Sequence, residues 1–380
     1  MPVAIDTSQL NVLHVLTLNG RNGEYGGPVR VARELCSELN ARGHTTQIFS
    51  GALRGSEPNP KTGLTESFVL VKPILKKLPV STLWSWALLA TLTKQIKRAD
   101  IVHIHFARDL IPFLATSLSI LNRKPFVTQT HGMIISDGRL STRLIDFLLT
   151  RRLINRSRVN LVLSDTELDA VIRLKIKSPC RVLPNGIAVS VIQDDRNGFT
   201  NRIAFCSRLE KRKGVRKFIE LADSFRDTGM KFEIYGPDGG ELQFVQSEIK
   251  SRTLTSNLEY KGSLQAHDVQ RMLAEIDVLV LPSKDEPFPM VVLEALAVGT
   301  QVLVMPSCGF AEELRKFESS FVANTEDVSS LSNSLNLQKS SKYRNKSQME
   351  IVQFCAAEFG IESVTNRLLS EYKKALSYEC

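Results

Sequence analysis

The chain has 380 residues, of which 43% are hydrophobic and 23% charged, and these fractions exclude a disordered, collagenous or disulfide-framework protein. The formal net charge is +9, with 25 Lys and Arg against 13 Asp and Glu in residues 1–190 and 24 against 27 in residues 191–380. The basic excess therefore belongs to the first half. A chain of this length is expected to fold as two domains rather than around one core.

Cysteine usage and apolar runs indicate the compartment. The six cysteines lie far apart, with no C-x-x-C pair and no histidines at metal-ligand spacing, so they are predicted to be reduced thiols. The first residues, MPVAIDTSQLNV, lack the basic flank and apolar run of a secretion signal. The longest uncharged run of the first half, residues 78–93, is shorter than the roughly 18 to 20 residues that a membrane-spanning helix needs. We therefore expect a cytoplasmic protein.

Short apolar runs rich in Val, Ile and Leu alternate with longer segments of helical period, which predicts repeated βα units and parallel sheets. In the first half the predicted strands are VLHVLTL (12–18), TQIFS (46–50), IVHIH (101–105), FVTQT (126–130), NLVLS (160–164) and RVLP (181–184). In the second half they are RIAFCS (202–207), KFEIYG (231–236), VLVLPS (278–283) and QVLVMPS (301–307). The polar segment 188–201 between the two series is predicted to be a linker.

Each half is thus predicted to be its own doubly wound α/β domain. The predicted domains are residues 1–190 and residues 191–380, and they are expected to face each other across a central cleft. The tail, near residues 341–377, has helical period and is expected to pack back on one of the two domains.

In a parallel sheet, ligands bind beyond the carboxyl ends of the strands. Gly26 and Gly27 follow the first strand and precede a helix, where free N–H groups favour an anion; a simple tight turn explains them equally well. His131 follows the strand FVTQT and is a candidate to bind a phosphate or a sugar hydroxyl, with a surface or core histidine as the alternative. His103 and His105, inside IVHIH, are predicted to be structural.

The second half opens with a strand that delivers Arg208, and Lys213 follows beside Gly214, where a helix begins. Two long cations near a helix start form a receptor for a diphosphate. The alternative is a solvated basic face, because other Lys and Arg residues crowd the same stretch. Downstream, IYGPDGGE forms a second glycine-rich strand end that contains Gly236.

The most informative segment is residues 276–306, which predicts a strand, a loop, a helix that starts near Pro289, and another strand. Glu286 lies in the loop, and Glu294 follows eight residues later in the helix. A separated pair of carboxylates suits the binding of vicinal hydroxyl groups. A general acid and base pair for hydrolysis is a less natural use. A capping or surface role is the alternative for Glu294.

Taken together, these residues resemble the retaining nucleotide-sugar glycosyltransferases of the GT-B fold, in particular glycosyltransferase family 4. The resemblance extends from NVLHVLTLNG to the final helices, and its specific parts are SRLEKRKG, RVLPNG, YKGSL and EPFPMVVLEA. The last of these fits the family's E-x7-E signature at Glu286 and Glu294. The resemblance implies two Rossmann-like domains, of which the first binds the acceptor and the second binds the nucleotide-sugar donor.

The resemblance also implies roles for single residues. Arg208 and Lys213 would hold the donor diphosphate, Glu286 would contact the transferred sugar, and Glu294 would bind the nucleotide ribose. His131 would contact the sugar or the phosphate from the opposite domain. Further donor contacts would come from Gly26 and Gly27 near the phosphates, from Gly236, Gly262, Ser263 and Leu264 around the base, and from the backbone of Phe288, Met290 and Val291.

The implied reaction moves a hexose-type sugar from a UDP- or GDP-sugar to a glycan or lipid-linked acceptor, with retention of configuration, in polysaccharide or glycolipid synthesis. The leaving diphosphate, stabilised by Arg208, Lys213 and helix N-termini, would help to deprotonate the acceptor hydroxyl. No cofactor and no metal are expected, since the sequence lacks a D-x-D cluster and metal-spaced ligands.

Two basic stretches in the acceptor-binding half indicate where a lipid-linked acceptor would be met. Residues 70–98 carry six Lys and Arg and no acid around Trp84 and Trp86, and residues 139–158 carry six Arg against Asp146. Such stretches suit an anionic membrane face, so peripheral binding at the inner face of the cell membrane is a hypothesis. The alternative is a pair of solvated helices whose apolar sides pack in the core.

Other functions fit the sequence less well. A nucleic-acid binder is disfavoured, because no motif that interleaves aromatic and basic residues on a recognised scaffold is present. A phosphorylase would need a cofactor lysine context that the sequence lacks. The alternatives that stay open are a non-catalytic protein that binds a sugar nucleotide or an anionic polymer, and a GT-B epimerase, which would act without an acceptor.

Overall fold

The computed structural model describes residues 9–21, 27–59, 63–73, 82–134, 139–189, 199–317, 320–340 and 344–377. The chain forms two compact units, one of Met1–Gly186 together with Ile361–Cys380 and the other of Ile187–Gly360. The first unit thus ends four residues before the predicted boundary, and it also takes the last part of the tail. Residues 190–198 of the predicted linker lie outside the described residues.

The first unit is built on parallel strands. Its strands are β1 (Asn11–Leu18), β2 (Thr45–Ala52), β3 (Thr65–Leu70), β4 (Lys72–Pro73), β5 (Leu83–Trp84), β6 (Ile101–His105), β7 (Phe126–Gln129), β8 (Asn160–Val162) and β9 (Cys180–Val182). Its helices before the linker are α1 (Gly27–Ala41), α2 (Trp86–Arg98), α3 (Leu110–Leu121), α4 (Leu140–Ile145), α5 (Arg151–Ile154) and α6 (Asp165–Arg173). A π-helical turn, Asp146–Thr150, joins α4 to α5.

The second unit repeats this plan. Its strands are β10 (Arg202–Cys206), β11 (Lys231–Tyr235), β12 (Leu258–Gly262), β13 (Val278–Leu281), β14 (Gln301–Val304) and β15 (Ser320–Val322). Its helices are α7 (Val215–Ser224), α8 (Leu242–Ser251), α9 (Ala266–Glu275), α10 (Met290–Ala297), α11 (Ala311–Leu314), α12 (Val328–Ser340) and α13 (Arg344–Phe359). Two 3-10 turns, Lys211–Lys213 and Leu254–Ser256, precede α7 and β12.

Both sheets are parallel and have the order of a doubly wound fold. The first sheet runs β3-β2-β1-β6-β7-β8-β9 and the second runs β12-β11-β10-β13-β14-β15, while β4 and β5 form a small antiparallel ladder. The strand order reverses between β1 and β6 in one sheet and between β10 and β13 in the other. Such a switch point opens a crevice beyond the carboxyl ends of the strands, where ligands bind.

The ten strands predicted from the sequence are all present, with ends shifted by at most three residues. Five strands were not predicted from the sequence. Two of them are the two-residue strands β4 and β5, and the other three, β3, β12 and β15, lie at the edges of the two sheets. Edge strands are less deeply buried and therefore lack the continuous apolar run of a central parallel strand. The side chains of β3 alternate only weakly between buried and exposed, and those of β12 are mostly outside the core.

Both faces of the first sheet are buried, because successive residues of β1 enter different cores. Leu13 and Val15 pack in a core with the buried side chains of α2 and α3. Val12 packs in the opposite core with apolar residues of α1. None of the helices within the described ranges is both long and apolar enough to cross a membrane.

The last helix, α14 (Ile361–Ser377), explains why the end of the tail belongs to the first unit. Val364, Leu368 and Tyr372 are fully buried on one face of α14 and join the same core as Val12. A helix with one apolar stripe has to cover that stripe, and here the sheet of the first unit covers it.

Candidate functional site

The polar residues predicted for the second half follow neighbouring strands. Arg208 follows β10, Gly236 follows β11, Gly262 ends β12, and Glu286 follows β13. Because these strands are parallel and adjacent in the sheet, the loops after them lie along one edge, at and beside the switch point. The structure therefore places the predicted donor-binding residues of this unit on a common edge.

Glu286 lies at the centre of an ion-pair cluster. The Lys213 ammonium is 2.5 Å from Oε2 of Glu286, and the Arg212 guanidinium donates to the same oxygen at 3.1 Å. Glu286 is only 7% exposed, so the pairs are shielded from solvent on the carboxylate side. Sequence reasoning counted Arg212 among the crowded basic residues of the stretch and missed its contact with Glu286.

The cluster carries an excess of positive charge. Arg208 pairs with Glu210 at 3.4 Å, while Arg212 and Lys213 share the one carboxylate of Glu286. Glu286 is thus paired with two cations, one more than its single charge neutralises. A local excess of cations in a partly desolvated loop favours an anionic ligand.

The backbone holds Lys213 against Glu286. The Lys284 N–H donates to the Arg212 carbonyl at 3.1 Å, and the Ser283 hydroxyl donates to the Lys213 carbonyl at 3.3 Å. Gly214 has a φ of 80°, and a Cβ there would lie 2.1 Å from the Pro282 carbonyl oxygen. The two loops therefore approach each other at a position that only glycine allows.

Gly236 is required for a similar close approach. Its φ is 142°, and a Cβ there would lie 1.9 Å from the Ser207 carbonyl oxygen. Its N–H donates to the Gly262 carbonyl at 2.9 Å. Beyond β12, Ser263 is exposed and Leu264 is half-buried. The contact of these residues with a nucleotide base stays a prediction.

The loop after Glu286 leads into α10, which starts at Met290 with Pro289 at the N-cap. Met290 and Val291 form the first turn, where backbone N–H groups have no partner within the helix. Phe288 is 8% exposed and packs edge-on against Phe310, with 6.0 Å between ring centroids. Its side chain therefore belongs to the core, and the contact of its backbone with a donor stays a prediction.

Glu294 lies in a different environment from Glu286. It is 2% exposed, on a helix whose neighbouring residues Leu293 and Ala295 are also buried. The two carboxylates are therefore held separately, one beside two cations and one within the buried face of α10. The binding of a ribose by Glu294 stays a prediction.

In the first unit, Gly27 and His131 follow β1 and β7, whose carboxyl ends lie at the same edge of the first sheet. Gly27 is the first residue of α1, whereas Gly26 lies outside the described residues. A pocket of about 190 Å³ opens beside this helix start, with Thr17, Pro28, His105 and Asp109 in its lining. Burial raises the pKa of Asp109, which accepts a hydrogen bond of 2.8 Å from the Thr17 hydroxyl.

His131 is held in a strained turn. Its φ is 50°, in the left-handed region that non-glycine residues rarely adopt. Glu167 fixes the turn, because its carboxylate accepts from the Thr130 hydroxyl at 2.6 Å and from the N–H groups of Gly132 and Leu163 at 2.5 and 2.7 Å. Burial raises the pKa of Glu167.

Sequence reasoning missed Glu167, although a signal was present. Ser164 and Glu167 have the spacing of a capping box at the start of α6, and the Ser164 hydroxyl accepts from the Glu167 N–H at 3.3 Å. Instead of bonding to the N-cap residue, the glutamate side chain reaches across to the strand end that carries His131. Only the fold shows that second contact.

A cluster of three buried histidines lies behind His131. His14, His103 and His105 are at most 1% exposed, and their ring nitrogens lie within 4.8 Å of one another. His103 and His105 stack with an angle of 4° between their rings. Both ring nitrogens of His103 lie within hydrogen-bond distance of other groups, Tyr372 at 2.6 Å and Gln129 at 3.1 Å, and both of His105 lie within that distance of His14 and His131. These rings are therefore used in hydrogen bonds. His14 was not singled out from the sequence.

Solved structures with the same architecture include HepE (Alr3699) of Anabaena in complex with UDP and glucose, with a TM-score of 0.75 and 16% identity over 96% of this chain and 99% of that chain. At this level of identity, the similarity shows the GT-B fold.

Two curated relatives resemble the sequence. One is the 2-deoxystreptamine glucosyltransferase of Streptomyces kanamyceticus, which is 25% identical over 47% of this chain and 46% of that protein. The chain thus spans about half the length of this relative. The other is the D-inositol 3-phosphate glycosyltransferase of Corynebacterium jeikeium, which is 21% identical over 82% of this chain and 83% of that protein.

Two family profiles match in tandem. Residues 25–191 match Glycosyltransferase Family 4, and residues 192–351 match Glycosyl transferases group 1. The first match falls in the N-terminal unit and the second in the C-terminal unit. With one such match in each of two Rossmann-like units, and with solved neighbours of the same fold, the chain belongs to the GT-B glycosyltransferases of the family 4 type.

Proposed function

We propose that the protein is a retaining glycosyltransferase that moves a hexose from a UDP- or GDP-sugar to a glycan or lipid-linked acceptor, in polysaccharide or glycolipid synthesis. The observation that carries this proposal is the cluster of Arg212, Lys213 and Glu286 at the switch point of the second sheet. It combines an excess of cations for a diphosphate with a carboxylate for sugar hydroxyls. The solved neighbour that holds UDP and glucose supports a donor of this class.

Lys213 can serve the diphosphate without leaving Glu286. An ammonium has three N–H donors, and the contact with Oε2 of Glu286 uses one of them. The other two are available for phosphate oxygens. Arg208 follows the same strand end and would complete the anion site, and the first-turn N–H groups of α10 would add donors.

The proposed reaction is a front-side displacement. The acceptor oxygen forms a bond to the anomeric carbon on the face from which the bond to the diphosphate oxygen breaks. The acceptor proton passes to the leaving diphosphate, whose growing negative charge is stabilised by Lys213 and Arg208. Because these cations supply the positive charge that the leaving group needs, we propose that transfer requires no metal.

The remaining donor contacts follow the family pattern. Glu294 would bind the ribose, and the loop at Gly262, Ser263 and Leu264, with Gly236, would line the base. His131 and Gly27 would contribute from the N-terminal unit, together with Gly26. Each of these contacts is part of the proposal and is tested by its own substitution.

The decisive experiment incubates the protein with a panel of UDP- and GDP-sugars and a lipid extract, and follows nucleotide release and product mass. We expect one donor to give a product larger than the acceptor by one hexose residue, with equal rates in the presence and absence of EDTA. Nucleotide binding without release would favour the non-catalytic alternative. A changed sugar without an acceptor product would favour the epimerase.

We further propose that the protein docks on the inner face of the cell membrane through the segment from α4 to α5, here called the docking helix (residues 140–154). Its apolar side chains are 36–80% exposed at six positions, Leu140, Leu144, Ile145, Phe147, Leu148 and Leu149. Arg139, Arg143, Arg151 and Arg152 surround them. Exposed apolar residues among arginines suit an anionic lipid surface.

The other basic stretch fits the alternative better. Leu88, Leu92 and Ile96 of α2 are buried in the core, so that helix covers its apolar side within the protein. The docking helix is instead anchored from behind by Arg108, which binds Asp146 through two hydrogen bonds of 2.7 and 2.9 Å. Lys76 and Lys77 lie outside the described residues.

Flotation with vesicles tests the docking helix. We expect the protein to float with vesicles that contain anionic lipid, and Phe147→Glu to lower the partition coefficient about 10- to 100-fold. That loss corresponds to the roughly 1.5–3 kcal/mol of one buried aromatic side chain. Leu121→Glu is the matched control, because Leu121 is 79% exposed but lies at the end of α3. Indifference to lipid charge would refute the proposal.

A further inference from the structure

Three histidines form a hydrogen-bonded row that ends at the candidate site. His14 Nδ1 lies 3.1 Å from His105 Nε2, and His105 Nδ1 lies 2.7 Å from His131 Nε2. His14 is on β1 and His105 ends β6, and these strands are adjacent and parallel. The ring planes of His105 and His131 differ by only 6°. The row thus connects the interior of the first sheet to the strand end that carries His131.

Each neutral imidazole has one N–H and one acceptor nitrogen, so the row has two arrangements. In the first, His14 donates to His105 and His105 donates to His131, so that all three protons are on Nδ1. In the second, every proton is on Nε2 and the donations run the other way. The pKa of His14 is lowered to about 3 by burial, and those of His105 and His131 are lowered by the same cause, which keeps the rings neutral.

The environment of His14, at the buried end of the row, decides between the two arrangements of protons. His14 Nε2 is buried and has no hydrogen-bond partner among the residues that the structure describes. The first arrangement leaves only a lone pair there, whereas the second leaves an N–H group without an acceptor. Orphaned buried N–H groups are the rarer and more costly defect.

We infer that His105, oriented by His14, is a positioning residue that fixes His131 as the Nδ1–H tautomer. His131 then presents a hydrogen-bond donor, and not a base, to whatever oxygen it meets. This inference rests on the proposed function only for the identity of that oxygen, which would be a sugar hydroxyl or a phosphate. The inference also gives the buried histidines His14 and His105 a role, which is to orient the proton of His131.

The direct test is the two-bond ¹⁵N–¹H correlation spectrum of the full chain with ¹⁵N-labelled histidine, because protonated and unprotonated ring nitrogens have well-separated ¹⁵N shifts. The chain has six histidines, which single substitutions assign. We expect His14, His105 and His131 to carry their protons on Nδ1. A proton on Nε2 of His105 or His131 would overturn the inference. The spectrum needs no donor sugar, so this outcome is independent of the proposed transferase activity.

Substitution at His105 supplies the second test. In His105→Phe an aromatic ring still fills the space, but the Nδ1–H donor to His131 is lost. His131 should then populate both tautomers, and kcat should fall about 10- to 100-fold. In His105→Asn the amide N–H₂ replaces the Nδ1 donor, so the single tautomer and most of kcat should return. His44→Gln, outside the row, is the control. An unchanged His131 tautomer in His105→Phe, or no recovery in His105→Asn, would contradict the inference.

Discussion

Replacing Lys213 by alanine is expected to lower kcat for sugar transfer by about 10²- to 10³-fold, which is the usual effect of removing one donor that stabilises a developing anion. The ammonium lies 2.5 Å from Glu286 in a loop held by backbone hydrogen bonds, so the fold fixes its position. The fold should survive, because Arg212 still pairs with Glu286. Nucleotide release and product mass measure the rate, and thermal unfolding checks the fold.

Lys211→Ala is the matched control, since Lys211 lies on the same 3-10 turn but is exposed. Glu286→Ala should give a loss of similar size, because the carboxylate both orients Lys213 and would contact the sugar. Its control is Glu312→Gln, whose side chain is 85% exposed on α11. Near-normal transfer in both Lys213→Ala and Glu286→Ala would refute the site.

Lowering the pH from 7.5 to 5 is expected to destabilise the N-terminal unit, with about 2 kcal/mol from His14 and further losses in the same direction from His103, His105 and His131, whose pKa values burial also lowers. Burial lowers the pKa of His14 to about 3 and those of His103 and His105 well below the usual 6.5. The unfolded chain therefore binds protons below about pH 6.5 that the folded chain does not bind. The contribution of the neutral buried histidines to the free energy of unfolding is fully present above this pH and is lost as the pH falls toward 3.

Urea unfolding followed by tryptophan fluorescence measures this loss, because both tryptophans, Trp84 and Trp86, lie in the first unit. His103→Gln should reduce the steepness below pH 6 by about 1.4 kcal/mol per pH unit, the contribution of one proton. Glu167 and Asp109 act in the opposite sense, since burial raises their pKa values. A free energy of unfolding that stays constant from pH 7.5 to 5 would contradict the prediction.

Much of the second-unit site follows from chain order alone. Arg208 and Lys213 lie in the loop after β10 and Glu286 lies in the loop after β13. Both strands are central and parallel, and the carboxyl ends of such strands meet at one edge. The sequence therefore predicted that these residues are close to one another. It did not predict which of them pair, because the contact of Lys213 with Glu286 depends on how two loops about 70 residues apart approach.

The sequence by itself determined two parallel α/β units, the order of their central strands along the chain and the strand ends at which the polar residues lie, since these depend on local patterns of burial. Only the tertiary structure decided that α14 belongs to the first unit, that Glu167 holds the turn of His131, that the docking helix is exposed, and that His14 lies beside His105. The physical reason is that the register between β1 and β6 joins residues about 90 apart in sequence, and no local periodicity encodes that pairing.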